Sequence, residues 1–260
     1  MYLRKYLTTV SAIALFLSPT FAIAGAMDAT DDGQAMVMST GGYYGRAELT
    51  GAFPIYSNAY WLPPGFGGSD PQVFFDLSGG TAFAGTIAVG YDYGNEWRWD
   101  VSLTYMAEHD ATGPWSHTEP ATAGPHADIS EASVQSTALM ANVYYIPNIN
   151  MSLGGAEPFL TAGVGVAQNI LSDWTRDNAG ERTFEGSTST DLAWTVGAGL
   201  SWDVGTVGSN PMKLDVTYRY MDLGVVEGSS TPLGGGAEPV QGLTFRHNLH
   251  TVSVGLRMSF

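Results

Sequence analysis

Histidine and serine are the residue types in this sequence that could act together in nucleophilic catalysis. A histidine base beside a serine hydroxyl supports hydrolysis and acyl transfer. His250 and Ser253 are three residues apart, and on a β-strand such residues point to opposite faces. They cannot form this pair within one strand, and the sequence also contains no G-x-S-x-G motif and no Gly-rich phosphate loop. We therefore predict no enzyme, no catalytic residues and no bound cofactor.

A metal site would need histidine or carboxylate ligands at a recognisable spacing. His109, His117 and His126 lie in one polar stretch with Asp110 and Glu119, but the histidine spacings of 8 and 9 residues match no zinc-ligand pattern. We expect these histidines to lie in a solvated loop, and we predict no metal site. The chain has no Cys, which excludes disulfides, thiolate ligands and cysteine nucleophiles.

Charged residues at alternating positions of apolar segments are the strongest candidates for a buried polar network. Four are basic and five are acidic, so their charges almost balance. Buried charges persist only when they are paired and hydrogen-bonded. We therefore predict an internal salt-bridge network, with a proton relay or a substrate site as the alternative. The nine residues are Arg46, Glu48, Asp92, Arg98, Asp100, Asp203, Asp215, Arg219 and Arg257.

The segments that carry these charges read as β-strands. Within 192–203 the even positions are apolar and the odd positions are small or polar, which is the period of two typical of a strand. Each segment has the roughly 9–11 residues that a tilted strand needs to cross a bilayer. Eight segments show the pattern: 43–53, 81–93, 97–108, 134–146, 158–170, 190–204, 211–223 and 247–260.

The connections between these segments alternate in length. The links at 94–96 and 205–210 are short and the link at 147–157 is moderate, whereas those at 54–80, 109–133, 171–189 and 224–246 are long. This layout predicts an all-β fold: a closed eight-stranded antiparallel up-and-down transmembrane β-barrel, with short periplasmic turns and four long extracellular loops. A sheet in lipid must close, because unpaired edge groups are costly there. A soluble sandwich or lipocalin-type barrel also alternates and is the alternative.

Composition favours the membrane setting. Charged residues make up 13% of the chain, about half the usual share in soluble proteins. The net charge of −15 argues against a nucleic-acid partner, because phosphate binding needs clustered Lys and Arg. Aromatic residues near the ends of the apolar faces predict girdles at the two lipid interfaces. These residues are Trp97, Trp99, Tyr145, Trp194, Trp202, Tyr218 and Tyr220.

The first residues resemble a secretory signal. Arg4 and Lys5 precede an apolar stretch at 6–18, and small residues follow, so cleavage after Ala24 or Ala26 is expected. A membrane anchor is the alternative, but the apolar stretch is short for a span. We predict a signal peptide at 1–24, a short N-terminal extension at 25–42 and the barrel domain at 43–260.

Several motifs together resemble a known family. They are "YYGRAEL" (43–49), "NVYYIP" (142–147), "PFLTAGVGVAQN" (158–169), "LAWTVGAGLSWDV" (192–204), "LDVTYRYMDLG" (214–224) and "HTVSVGLRMSF" (250–260). They resemble the eight-stranded outer-membrane β-barrel family of porin-like surface antigens and opacity-type proteins, with an architecture like that of OmpA and OmpX. The resemblance implies a location in the outer membrane, contact with its lipid and insertion by the barrel-assembly machinery. It also implies that Phe260 is part of the assembly signal.

These observations favour a structural or surface-interaction protein with a plugged lumen. The long loops 54–80 and 109–133 are the candidate surface for an extracellular partner, and the first contains Tyr56, Tyr60, Trp61, Phe66, Phe74 and Phe75. Such rings either form a contact surface or pack on one another over the barrel mouth. A small porin for passive diffusion is the alternative function, although eight strands leave little room beyond the interior side chains.

Overall fold

The computed structural model describes residues 41–64, 72–119, 128–149, 154–177 and 180–260. The predicted signal peptide and residues 25–40 of the predicted extension lie outside the described residues, as do Phe66 and His126.

The described residues form β-strands joined by turns and short irregular segments. The strands are β1 (Gly42–Leu62), β2 (Gln72–Phe75), β3 (Ala82–Asp92), β4 (Trp97–Glu119), β5 (Ile129–Tyr145), β6 (Glu157–Leu171), β7 (Trp174–Asp177), β8 (Glu181–Phe184), β9 (Ser187–Val207), β10 (Asn210–Glu227) and β11 (Gln241–Ser259). Within this part of the chain, no helix is long and apolar enough to cross a membrane.

Eight long strands of the described chain close into a ring. They follow the order β4-β3-β1-β11-β10-β9-β6-β5, and pairing of β4 with β5 completes the circle. All pairings are antiparallel, including that of the first strand with the last, in which Glu48 lies opposite Gly255. The predicted all-β, closed eight-stranded antiparallel barrel is therefore confirmed.

The two ends of the ring differ, and we name them by their connections. At the turn end, β9 and β10 are joined through Gly208 and Ser209, and Gly208 has a φ of 66°, which suits glycine in a tight hairpin. At the loop end, β1 and β4 continue to Leu62 and Glu119. These strands extend well into the stretches 54–80 and 109–133, which we had predicted as loops. Strands β2, β7 and β8 also form in stretches predicted as loops.

Burial alternates along the strands of the ring. On β3 every second residue is buried from Ala82 to Gly90, while the intervening residues are exposed. The exposed face is apolar: Leu49 is 78% and Leu192 is 75% accessible. The inward face is mostly small or polar, and Gly163 and Gly165 lie so close to neighbouring strands that an added Cβ would meet atoms within 2.3 Å and 2.0 Å.

A hydrophobic cluster lies at the loop end, and we call it the aromatic cap. It draws on the extended ends of β1, β4 and β11 and on the three short strands. Its residues are Ala59, Trp61, Val73, Phe75, Leu77, Ala111, Ala132, Val134, Leu171, Trp174, Phe184, Val226, Leu243 and Phe245.

Candidate functional site

The charged side chains that alternate along the strands meet inside the ring, and we call this group the plug. Its four basic and four acidic members balance in charge. They come from β1, β3, β4, β10 and β11, so the network ties together strands on different sides of the barrel. The plug consists of Arg46, Glu48, Asp92, Arg98, Asp100, Asp215, Arg219 and Arg257.

Asp100 is the most heavily bonded carboxylate of the plug, and it is fully buried. Its Oδ2 accepts hydrogen bonds from Tyr44 Oη at 3.1 Å, from Tyr144 Oη at 3.0 Å and from Arg46 Nη2 at 2.9 Å. Its Oδ1 accepts a bond from Asn142 Nδ2 at 2.7 Å. A carboxylate with several donors keeps its charge in a low-dielectric interior.

Glu48 forms the second centre of the plug. Arg219 donates to its two carboxylate oxygens at 3.1 Å and 3.2 Å, which is the bidentate arrangement that guanidinium groups favour. Arg46 also contacts Glu48, so this arginine links Glu48 to Asp100. Ser253 accepts a further hydrogen bond from Arg219 at 3.1 Å.

Asp215 forms the third centre, nearer the turn end. It accepts hydrogen bonds from Ser201 Oγ at 2.6 Å and from Arg257 Nε at 3.1 Å. Arg98 lies 3.8 Å from the same carboxylate, and Arg257 lies 3.8 Å from Asp92. Each ionised group of this centre thus faces a group of opposite charge.

Asp203 does not belong to the plug, so our prediction for this residue was wrong. Its side chain is 73% accessible, and it lies 3.5 Å from Lys213. Asp203 pairs with Lys213 in unbroken register, and the register shifts only beyond this pair, towards the turn. Every residue of β9 from Asp203 to Val207 is exposed, so the alternation of buried and exposed residues assumed in the prediction has ended at Asp203. Without Asp203 the charges inside the barrel balance.

The space left inside the barrel beside the plug is small. The cavity bordered by Arg46, Glu48, Arg219 and Thr195 has a volume of about 20 Å³, enough for about one water molecule. Methionine side chains border its other part, and Met106, Met140 and Met221 are buried there. Side chains therefore occupy this part of the interior almost completely.

The predicted interface aromatics lie on the outward face of the ring. At the turn end, the rings of Trp97 and Tyr145 are 4.9 Å apart. Towards the loop end, the rings of Trp194 and Tyr220 are 5.4 Å apart. Trp99, Trp202 and Tyr218 are also at least partly exposed. The aromatic residues thus flank an apolar belt on both sides.

Phe260 lies at the turn end. Its backbone N–H donates to Tyr43 O at 3.0 Å, so pairing with β1 continues to this residue. Its side chain is half-exposed. The contact places Phe260 at the seam between the first and last strands; its role as an assembly signal remains a prediction.

Two histidines form a contact that we did not predict. His109 was expected in a solvated loop, but it is buried, and its Nε2 lies 3.2 Å from Nε2 of the buried His247. The two residues are 138 positions apart and meet because the ends of β4 and β11 continue beyond the loop-end aromatics. Tyr56 stacks against both imidazoles. Burial lowers the pKa of His247 to about 3 and also lowers that of His109, because the charged imidazole loses its hydration.

His250 and Ser253 point to opposite faces of β11. His250 Nδ1 lies 2.6 Å from Tyr218 Oη on the outward face, whereas Ser253 is buried against Arg219 inside the barrel. This arrangement offers no contact between a serine nucleophile and a histidine base from these two residues.

The aromatic cap contains several of the aromatic rings of the long connections. Trp174 stacks on Phe184 at 4.1 Å and meets Trp61 at 6.2 Å. The guanidinium of Arg176 lies 4.7 Å from the ring of Trp61 and 2.8 Å from the buried carboxylate of Asp128. The sequence leaves the role of Trp61 and Phe75 open, and the structure places both in packing rather than on the surface.

The closed ring and its two faces define the class of the protein. A soluble barrel buries its apolar face, whereas here the apolar face is outside and the ionised groups are inside. An apolar belt with aromatic residues at both edges matches a lipid environment. The chain is thus a transmembrane β-barrel of the outer-membrane type, and the soluble alternative is wrong.

Comparison with known proteins finds similarities in sequence and in structure. No protein-family model matches the chain. An uncharacterized protein of Brucella abortus is 29% identical over 212 residues, which cover 72% of this chain and 70% of the relative. Neisserial surface protein A has a similar structure with a TM-score of 0.44 and 17% identity, covering 84% of this chain and 97% of its own. Ail, the attachment invasion locus protein of Yersinia pestis, has a TM-score of 0.38 and 11% identity, covering 85% and 99%.

Proposed function

We propose that the protein is a plugged barrel of the bacterial outer membrane that presents its loop end to the outside as a structural and interaction surface. The observation that carries the proposal is the balanced network of eight charged side chains inside the ring. Together with the cavity of about 20 Å³ beside it, this network favours closure over conduction. A small porin would need a wider interior.

The aromatic cap supports the same function. It packs residues from the first, second and third long connections on one another, and residues of β10 and β11 join them. Packed segments have a defined shape, which favours a recognition surface over freely moving loops. We propose that a partner outside the cell binds here, through the exposed parts of 54–80 and 109–133.

Conductance of the purified protein tests the closed lumen. The folded barrel is inserted into planar lipid bilayers, and folding is first checked by comparing gel mobility before and after boiling. We expect a mobility shift and no stable single-channel steps. Large, reproducible steps from the monomer would support the porin alternative instead. A chain without the mobility shift that stays soluble without detergent would contradict the membrane barrel.

Deletion of one loop at a time tests the surface role. Each shortened protein is checked for the gel-mobility shift and then assayed for adhesion of whole cells to surfaces and to other cells. Loss of adhesion in a variant that still folds would locate the partner surface. Unchanged adhesion in every folded variant would argue against recognition by the loops.

The proposed biogenesis can be tested through Phe260. Because the resemblance implies that the barrel-assembly machinery reads this residue, Phe260→Ala is expected to lower the amount of folded barrel in the outer membrane. The matched control is Leu256→Ala, which changes an exposed, outward residue of β11, the strand that Phe260 directly follows. Equal membrane levels of both variants and the original protein would contradict an assembly role.

A further inference from the structure

The contact between His109 and His247 lies between the plug and the aromatic cap. On β11, His247 stands between Ser253, which contacts the plug, and Phe245, which belongs to the cap. The two Nε2 atoms are 3.2 Å apart. Both side chains are almost or completely buried, at 6% and 0% accessibility, so bulk water does not hydrate the facing nitrogens.

The other ring nitrogens are held by neighbouring oxygen atoms. His109 Nδ1 lies 3.0 Å from the carbonyl oxygen of Ala107. His247 Nδ1 lies 3.4 Å from Ser136 Oγ, which is itself 2.6 Å from Asn169 Oδ1. The amide of Asn169 is oriented by a 2.9 Å bond from its Nδ2 to a backbone carbonyl, so its Oδ1 can only accept.

This row of groups has one hydrogen too few. From Ala107 to Asn169 it contains four polar contacts. The two ends are oxygens that only accept, and two neutral imidazoles and one hydroxyl supply a single hydrogen each. One of the contacts is therefore left with lone pairs on both sides, unless a cation completes it.

The hydrogens can be placed from the ends of the row inwards. The carbonyl of Ala107 requires the hydrogen of His109 on Nδ1. Asn169 takes the hydroxyl hydrogen of Ser136, which leaves the oxygen of Ser136 to accept from His247 Nδ1. Both Nε2 atoms then present lone pairs to each other, and each imidazole has its second nitrogen anchored, as in protein metal sites.

We propose that His109 and His247 bind a divalent transition-metal ion, such as Zn²⁺, Ni²⁺ or Cu²⁺, through their Nε2 atoms. Metal–nitrogen bonds of about 2.0–2.1 Å at a tetrahedral angle separate two ligand nitrogens by about 3.3 Å, close to the 3.2 Å found here. Imidazole is a good ligand for these metals. The part of the chain that the structure describes has no group of three or more His, Cys, Asp and Glu residues suited to a metal, so water molecules that enter with the ion would supply the remaining ligands.

Metal titration of the folded, untagged barrel in detergent tests the site. The protein is treated with a chelator and dialysed, and Zn²⁺ alone is then added in competition with a chromophoric chelator. We expect the unmutated protein to bind one equivalent of Zn²⁺. The affinity should fall at least about tenfold after His109→Gln or His247→Gln, and by a smaller factor after Ser136→Ala, which removes the partner of His247. The matched control is His117→Gln, which removes an exposed histidine at the loop end and should leave this binding unchanged.

A measurement on the unmutated protein keeps the proposal testable if the variants fail to fold. Nitrogen NMR of labelled histidines should show the Nε2 signals of two imidazoles shifting together when Zn²⁺ is added. The proposal would be overturned if the unmutated protein and a folded H109Q/H247Q double variant bound equal amounts of Zn²⁺. So would a metal-free spectrum in which one of these imidazoles carries both hydrogens and no shift follows on adding Zn²⁺, because a proton would then complete the contact.

Discussion

The plug and the aromatic cap are two buried regions of one barrel, and they are built from opposite chemistry. The plug joins arginines to carboxylates, with Asp100 and Asp215 almost inaccessible to solvent. The cap joins rings and aliphatic groups, with Trp61, Trp174 and Phe184 equally buried. The plug lies within the apolar belt, whereas the cap lies beyond the aromatic residues at the loop end.

The difference follows from the surroundings of each region. Within the belt, lipid covers the outer face, so bulky apolar residues lie outside and moving them inside would gain little. The narrow interior there holds the ionised groups of the plug, which must pair with one another, and, towards the loop end, buried Ala and Met side chains. Beyond the belt, water surrounds the strands, and burying rings again lowers the free energy. Position relative to the membrane thus favours paired charges in the plug and packed rings in the cap.

The largest expected effect is the loss of Asp100 from the plug. Asp100→Ala leaves Arg46 and two tyrosine hydroxyls without their shared acceptor. Breaking a buried ion pair costs about 3–5 kcal/mol, and we expect a loss of that size in the free energy of unfolding. Urea titration in lipid vesicles, followed by tryptophan fluorescence, measures it. Asp100→Asn keeps the shape of the side chain and separates the loss of charge from the loss of volume.

An effect of similar size, but more local, is expected from Trp174→Ala in the cap. The change removes the stacking on Phe184 and the 3.0 Å bond from Nε1 to Ser229 O, and large-to-small changes of buried aromatic residues cost about 3–5 kcal/mol. We expect proteases to cut the loop end faster, while the gel-mobility shift of the barrel persists. Leu233→Ala, at a half-exposed position of the same end, is the control. If this variant instead lost the folded barrel together with the cap in one step, the cap and the ring would not be separate folding units.

The sequence reveals these two regions unequally. The plug was largely predictable, because period-two alternation assigns residues such as Arg98 and Asp215 to one face without knowledge of their partners. Asp203 was misplaced, because the end of β9 beside the turn is exposed at every position, so alternation no longer indicates burial there. Packing of the loop rings over the barrel mouth was one of two open alternatives, whereas the members of the cap and the histidine pair were not predictable. Their members come from distant segments, as the 138-residue separation of His109 and His247 shows, and no local period relates them.

The pairing inside the plug can be measured by a double-mutant cycle on Glu48 and Arg219. These side chains share two hydrogen bonds of 3.1 Å and 3.2 Å. Each single change, Glu48→Gln or Arg219→Met, leaves a buried charge without this partner, whereas the double change removes one charge of each sign. We expect the double variant to be more stable than the sum of the two losses predicts, with a coupling of about 1–3 kcal/mol. Additive losses, measured by urea titration, would contradict direct pairing.

The smallest effect is expected at Asp203, the residue for which the structure and the prediction from the sequence disagree. Asp203→Asn removes an exposed charge beside Lys213, and exposed ion pairs contribute about 0–1 kcal/mol. The matched change Asp215→Asn removes a buried charge that Arg257 contacts at 3.1 Å, so its cost should be several times larger. Both variants alter one carboxylate near the turn end, and urea titration compares them directly. An exposed carboxylate has water available to replace its partner, so removing its charge costs little. Equal losses of unfolding free energy in the two variants would therefore place Asp203 inside the plug.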